Sequence, residues 1–127
     1  MNKAILCYGN EFLKEDSIAA EIAKGIKGFP IRKCTSIDEI LDYPKESEVI
    51  ILDVVRNLKK VVVLHGTKML KTRQTISMHD FDIAKFMSIL EAAKELPKVT
   101  IIGIPMQGKK EELQAEVEKI LKKLTSN

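Results

Sequence analysis

Ala4-Ile5-Leu6-Cys7-Tyr8-Gly9-Asn10-Glu11-Phe12-Leu13-Lys14-Glu15-Asp16 joins an apolar run, a tight Gly-Asn turn and a pair of acids in one short stretch. The pattern predicts a first strand over 3–8 and a helix that opens at Asp16. Such a unit begins an open α/β sheet, where ligands bind outside the carboxyl ends of the strands. Gly9 permits backbone angles closed to other residues, and Asn10 tolerates them best among the rest. Glu15 and Asp16 stand at the positive end of the helix dipole, either as ordinary first-turn acids or as groups held ready for a ligand.

Outward from this unit, strand and helix patterns alternate. The helix over 16–27 places Ile18, Ile22, Ala23 and Ile26 on one face. Gly28 and Pro30 end it, Ile31 to Cys34 is a short strand, and Thr35 or Ser36 caps a short helix from Ile37 to Leu41. Glu48 to Val55 is almost continuously apolar, the pattern of a strand buried on both faces. Lys59 to Leu64 is another β-rich run, close enough in sequence to pair antiparallel with the strand before it. Gly66 to Met78 lacks periodicity, and long irregular stretches of this kind are often functional.

Ser77-Met78-His79-Asp80 then matches a capping box and opens a helix with Ile83, Phe86, Met87, Leu90 and Ala93 inward. Pro97 closes that helix, and Val99 to Ile104 is a last strand. Residues 109–124 form a final helix that buries Leu113, Val117, Ile120, Leu121 and Leu124. The order predicts a three-layer α/β/α sandwich around a mixed, mostly parallel five-stranded sheet, with residues 1–127 as a single domain.

Composition narrows the function classes. The chain is 45% hydrophobic with mean hydropathy −0.05 and no apolar run long enough to cross a bilayer, which predicts a soluble protein. Its amino terminus reads as a strand rather than a signal peptide, so the expected location is cytoplasmic. The net charge of +3 comes from scattered lysines, and two Tyr, four Phe and no Trp leave few stacking groups, against a nucleic-acid partner. Cys7 and Cys34 have no CxxC spacing and read as reduced structural thiols.

Asp53 is the anomaly in the chain. It interrupts Val49-Ile50-Ile51-Leu52 and Val54-Val55, where a buried carboxylate left without partners is costly. An Asp at a strand end also caps turns, but enclosure by aliphatic residues points to function. His79, third in its capping box, either faces solvent or serves as an imidazole ligand or proton carrier. A carboxylate after one strand, a carboxylate ending a second and a His opening a helix form a plausible site for a divalent transition metal with open positions. No Gly-rich phosphate loop or nucleophile elbow competes, so no organic cofactor is expected. His65, at a strand end beside Gly66, reads as a surface residue.

With these motifs in place, the chain resembles the hydrogenase maturation endopeptidases. The resemblance rests on Gly9-Asn10 with Leu13 and Glu15-Asp16, on Ile50-Ile51-Leu52-Asp53-Val54, and on Ser77-Met78-His79-Asp80, and it runs to Ile101-Ile102-Gly103-Ile104-Pro105. It implies a compact, phosphorylase/hydrolase-like α/β/α fold. It also implies removal of a C-terminal peptide from the precursor of a nickel-iron hydrogenase large subunit, once nickel has been inserted. The family's metal-contacting acid, acid and histidine fall on Asp16, Asp53 and His79, with Gly9, Asn10 and Glu15 in support. The nickel would then be supplied by the substrate. The chain departs from the family pattern at Ser17 and Ala19, where glycines are usual, at Glu15 in place of Asp, and at Cys34-Thr35-Ser36 in place of a Gly-Thr loop. A module of the same fold that binds the metal-loaded subunit without cutting it is the alternative.

Overall fold

A computed structural model of the chain describes residues 3–8, 17–34, 37–55, 58–65 and 97–126. Five strands form one sheet in the order β2-β1-β3-β5-β4: β1 Lys3–Cys7, β2 Ile31–Lys33, β3 Glu48–Val55, β4 Val62–His65 and β5 Lys98–Pro105. Pairings β1 with β2, β1 with β3 and β3 with β5 are parallel, and β4 runs antiparallel to β5. Helices α1 (Ser17–Gly25) and α2 (Lys110–Thr125) and a 3₁₀ helix at Ile37–Asp42 complete the described elements. The mixed, mostly parallel sheet expected from sequence is the sheet observed.

Residue alternation divides the core into two layers. Ile50, Leu52 and Val54 of β3 face α1 and α2, joining Ala19, Ile22, Val117 and Leu121. Val49, Ile51 and Val55 face the other way, with Leu6, Ile101, Leu64 and Ile40 of the 3₁₀ helix. A central strand packed on both faces has no polar side to offer water, which is why β3 reads as one apolar run. The two helices meet where Gln114 Nε2 donates to the Gly25 carbonyl at 3.0 Å. A side chain at Gly25 would push against that amide, the flexible end of Gln114.

One pairing differs from expectation. The run before His65 does not pair with β3, its predecessor in sequence. It forms the edge strand beside β5, with Val62 opposite Gly103 and Leu64 opposite Ile101. Both edges of β3 are already taken, by a five-residue ladder to β1 and an eight-residue ladder to β5. The half-exposed Val62 and Val63 and exposed His65 suit an edge, where one side of the strand meets water. The helix expected to open at Ser77, and the irregular stretch from Gly66 to Met78, lie outside the described residues. Among the described residues no helix is long and apolar enough to cross a membrane.

Candidate functional site

The chain enters β2 on one side of β1 and β3 on the other, so the strand order reverses between β1 and β3. In open α/β sheets this switch point forms the crevice where ligands bind. Asp53 stands there. The parallel register sets Cys7 against Leu52, and the Tyr8 amide donates to the Leu52 carbonyl at 3.0 Å. Tyr8 therefore lies one step beyond the ladder, level with Asp53. On the opposite flank Asp53 is in register with Gly103, and Gly103 with Val62.

Alternation puts Asp53 on the face of Ile51 and Val55, away from α1 and α2. It is half-buried, and the Val54 amide donates to its Oδ1 at 3.0 Å. The space beside it is closed by aliphatic groups. A Cβ on Gly103 would lie 3.1 Å from side-chain carbons of Leu58, Val55 and Val62. Leu58, Val55 and Val62 thus form an aliphatic wall on the Gly103 flank of the Asp53 carboxylate.

The β1 flank is aromatic. Tyr8 is half-buried, and burial pushes its phenol well above the ordinary range, helped by the neighbouring Cys34. Cys34 is buried, and its amide donates to the Cys7 carbonyl at 2.9 Å. Burial, then the negative charge of Glu39, pushes its thiol up as well. Cys34 is therefore a protonated thiol at neutral pH, its Sγ donating to the Arg32 carbonyl at 3.9 Å. Neither cysteine forms a disulfide among the described residues and both are buried, as expected for structural thiols.

Arg32 fastens the outer rim. Its Nη2 donates to Glu39 Oε1 at 3.0 Å and Asp42 Oδ2 at 2.9 Å, and its Nη1 to the Tyr43 hydroxyl at 3.3 Å. The guanidinium also lies 5.8 Å from the centre of the Tyr43 ring. The hydrogen bonds it donates to Tyr43 and Asp42 raise its proton affinity further. One cation thus ties the 3₁₀ helix to the end of β2, fixing the chain that borders the crevice.

Of the predicted site residues, Asp53 is the one the structure positions. Asp16, His79, Gly9, Asn10 and Glu15 lie outside the described residues. Among the described residues no three His, Cys, Asp or Glu side chains gather as a metal site. His65 sits at the far end of β4, exposed, with its Nδ1 3.4 Å from Thr100 Oγ1, and is a surface residue as expected. Two neighbours of the crevice escaped notice in the sequence, Tyr8 and Gly103. The signal for Gly103 was an isolated glycine inside an aliphatic strand, which marks close approach of neighbouring groups. Ala19, one of the departures from the family pattern, is fully buried between α1 and the sheet. Its methyl fills the core.

Residues 35–127 match the family model described as hydrogenase maturation protease. Among solved structures, the chain resembles the hydrogenase maturating endopeptidase HybD from E. coli at 20% identity, with 98% of this chain and 91% of that one covered and a TM-score of 0.67. An endopeptidase from Escherichia coli, known from its solution structure, matches at 20% identity over 100% and 96% of the two chains, with a TM-score of 0.66. Hydrogenase 2 maturation peptidase from a Thaumarchaeota archaeon matches at 14% identity over 97% of each, with a TM-score of 0.55. At these identities the structures speak for the fold. Among curated proteins none matches by sequence.

Proposed function

The chain belongs to the hydrogenase maturation protease family, and from that membership we propose that it removes the C-terminal extension of a nickel-iron hydrogenase large-subunit precursor after nickel insertion. The observation that most directly supports this reading is Asp53, half-buried at the β1/β3 switch point within the matched segment. A hard oxygen donor beside an aliphatic wall suits contact with a divalent cation presented by a substrate. In this reading Asp16, Asp53 and His79 contact the nickel carried by the precursor and bring the scissile peptide to the crevice. The attacking water is activated either by polarisation at the substrate's metal or by the carboxylate of Asp53 or Asp16 as general base. The Tyr8 phenol and Cys34 thiol stay protonated, which leaves the carboxylates as the anionic groups of this end of the sheet.

The test is direct. Incubation with nickel-loaded precursor should shorten the precursor at its C-terminus, read as a mass loss, and metal-free precursor should stay intact. Asp16→Asn, Asp53→Asn and His79→Ala should each abolish processing while the fold persists. Normal cleavage by all three variants would remove the site assignment. A stable complex without shortening would make the chain a binding module instead.

A further inference from the structure

Asp53 has a different neighbour on each side of β3. On the β5 side stands Gly103, bordered by the aliphatic wall of Leu58, Val55 and Val62. On the β1 side stands Tyr8, level with Asp53 and packed in the same layer as Ile51 and Val55. In-register neighbours on one face of a sheet lie about 4.7–4.9 Å apart, so Tyr8 is the first side chain met from the carboxylate in that direction. β1 and β5 are separated by two such spacings, about 10 Å. That width admits one extended chain between Tyr8 and the wall, whereas a helix with its side chains is about 10–12 Å across.

The Tyr8 side chain reaches toward β2, and a relay of contacts holds it there. Its hydroxyl donates to Cys34 Sγ, just beyond the end of β2, and stands close enough to Glu39 and Arg32 to feel both charges. The Cys34 thiol donates onward to the Arg32 carbonyl at 3.9 Å, and the Cys34 amide is tied to the Cys7 carbonyl at 2.9 Å. Arg32 is in turn bound to Glu39, Asp42 and Tyr43. The phenol is thus engaged on the β2 side. Tyr8 is nevertheless only half-buried. With its hydroxyl held by Cys34, what it offers the crevice is the ring, and an aromatic face is a good surface for apolar and planar groups.

We propose that Tyr8 is a substrate-positioning residue: latched toward β2 by Cys34, its ring forms the wall opposite Leu58, Val55 and Val62 and steadies an extended segment of the polypeptide substrate beside Asp53. The identity of the substrate rests on the processing reaction proposed above; the latch does not. Cys34 acts through Tyr8 and touches no substrate.

Steady-state processing of nickel-loaded precursor reads the role. Tyr8→Ala should raise KM about tenfold and leave kcat within about twofold, the split expected when a contact common to bound substrate and transition state is lost. Tyr8→Phe and Cys34→Ala break the latch from its two ends. Each should raise KM about three- to fivefold, and the double variant no further than either alone. Cys34→Ser, whose hydroxyl can still accept from Tyr8, should restore the KM of the unaltered chain. A residue with only a core role would lower the thermal midpoint and leave KM alone. That result in Tyr8→Phe, which keeps the ring, overturns the proposal, and so does a loss confined to kcat. Equal KM for Cys34→Ala and Cys34→Ser overturns the latch. If the unaltered chain binds the precursor without shortening it, the processing reaction fails, and the same order of variants must then appear in Kd. A precursor neither cut nor bound overturns both.

Discussion

Glu48 and Asp53 are two acids on one strand, five positions apart, with opposite surroundings. Glu48 begins β3, and the register places Lys3 of β1 and Lys98 of β5 directly on either side of it. Both ammonium groups approach its carboxylate at 3.5 Å, and Lys3 also donates to the Leu124 carbonyl at the end of α2, at 2.6 Å. Asp53 has Gly103 and Tyr8 as its lateral neighbours, neither of them a cation. The amino edge of the sheet is a closed electrostatic arrangement in which each charge already has its counterpart. At the carboxyl edge, the acid is held beside aliphatic and aromatic groups, and its Oδ1 accepts from the Val54 amide. That difference between the two ends of β3 separates an acid flanked in register by two lysines from one flanked by a glycine and a tyrosine.

The largest effect should come from exchanging the acid at the switch point of the sheet. Asp53→Asn should lower processing of nickel-loaded precursor by at least about 10²- to 10⁴-fold, the range for loss of a positioned acid or base. Its thermal midpoint should stay close to that of the unaltered chain, or rise. A large fall in that midpoint would make Asp53 a structural acid like Glu48. Gly103→Val comes next, because a branched side chain would press on Leu58, Val55 and Val62 from 3.1 Å. Overpacking of this kind costs about 1–3 kcal/mol, read by chemical denaturation, and should also depress activity through the displaced wall beside Asp53.

Alkaline pH should expose the aromatic flank of the crevice. Cys34 and Tyr8 both bind their protons more tightly in the folded chain than unfolded, because burial opposes the charged forms. Stability from each is therefore complete below its ordinary value, 9.0 for the thiol and 10.0 for the phenol, and is lost as pH rises above it. Thermal midpoints should fall between about pH 8 and about pH 11, and Cys34→Ser should flatten the early part of that fall. An unchanged profile would mean that the thiol is solvated. The smallest effect belongs to the paired acid. Glu48→Gln should cost no more than about 1 kcal/mol, as partly exposed ion pairs do, with processing unchanged. Loss of processing there would erase the contrast between the two ends.

Much of this was legible along the chain. The apolar runs at 3–8, 48–55 and 99–104 mark their strands because β1, β3 and β5 are sandwiched between two core layers and must be apolar on both sides. Asp53 was legible for the same reason, since a carboxylate is conspicuous only against an otherwise unbroken aliphatic background. Ile22, Val117 and Leu121 follow from helical spacing. The partner of β4 was not legible, because a β-rich run carries no label for the strand it joins. Adjacency in sequence favoured β3, but β5 competed for the same edge and won it with a longer ladder. Gly103, an isolated glycine in an aliphatic strand, signals a close approach, but its neighbours were named only once β3 and β4 were set on either side of it.

The sequence by itself therefore determined the kinds of element, the faces they bury and the one acid that their burial makes costly. Local periodicity and side-chain hydration are properties of short segments, and they can be read without knowing the fold. Only the tertiary structure decided that β1 and β3 meet at the reversal of strand order and that Tyr8 and Gly103 flank Asp53. Those facts depend on hydrogen-bonded ladders between residues up to about fifty positions apart, such as Ile5 with Ile50 and Leu52 with Ile102. Their register is set by the competition of whole faces for burial rather than by any single stretch of chain.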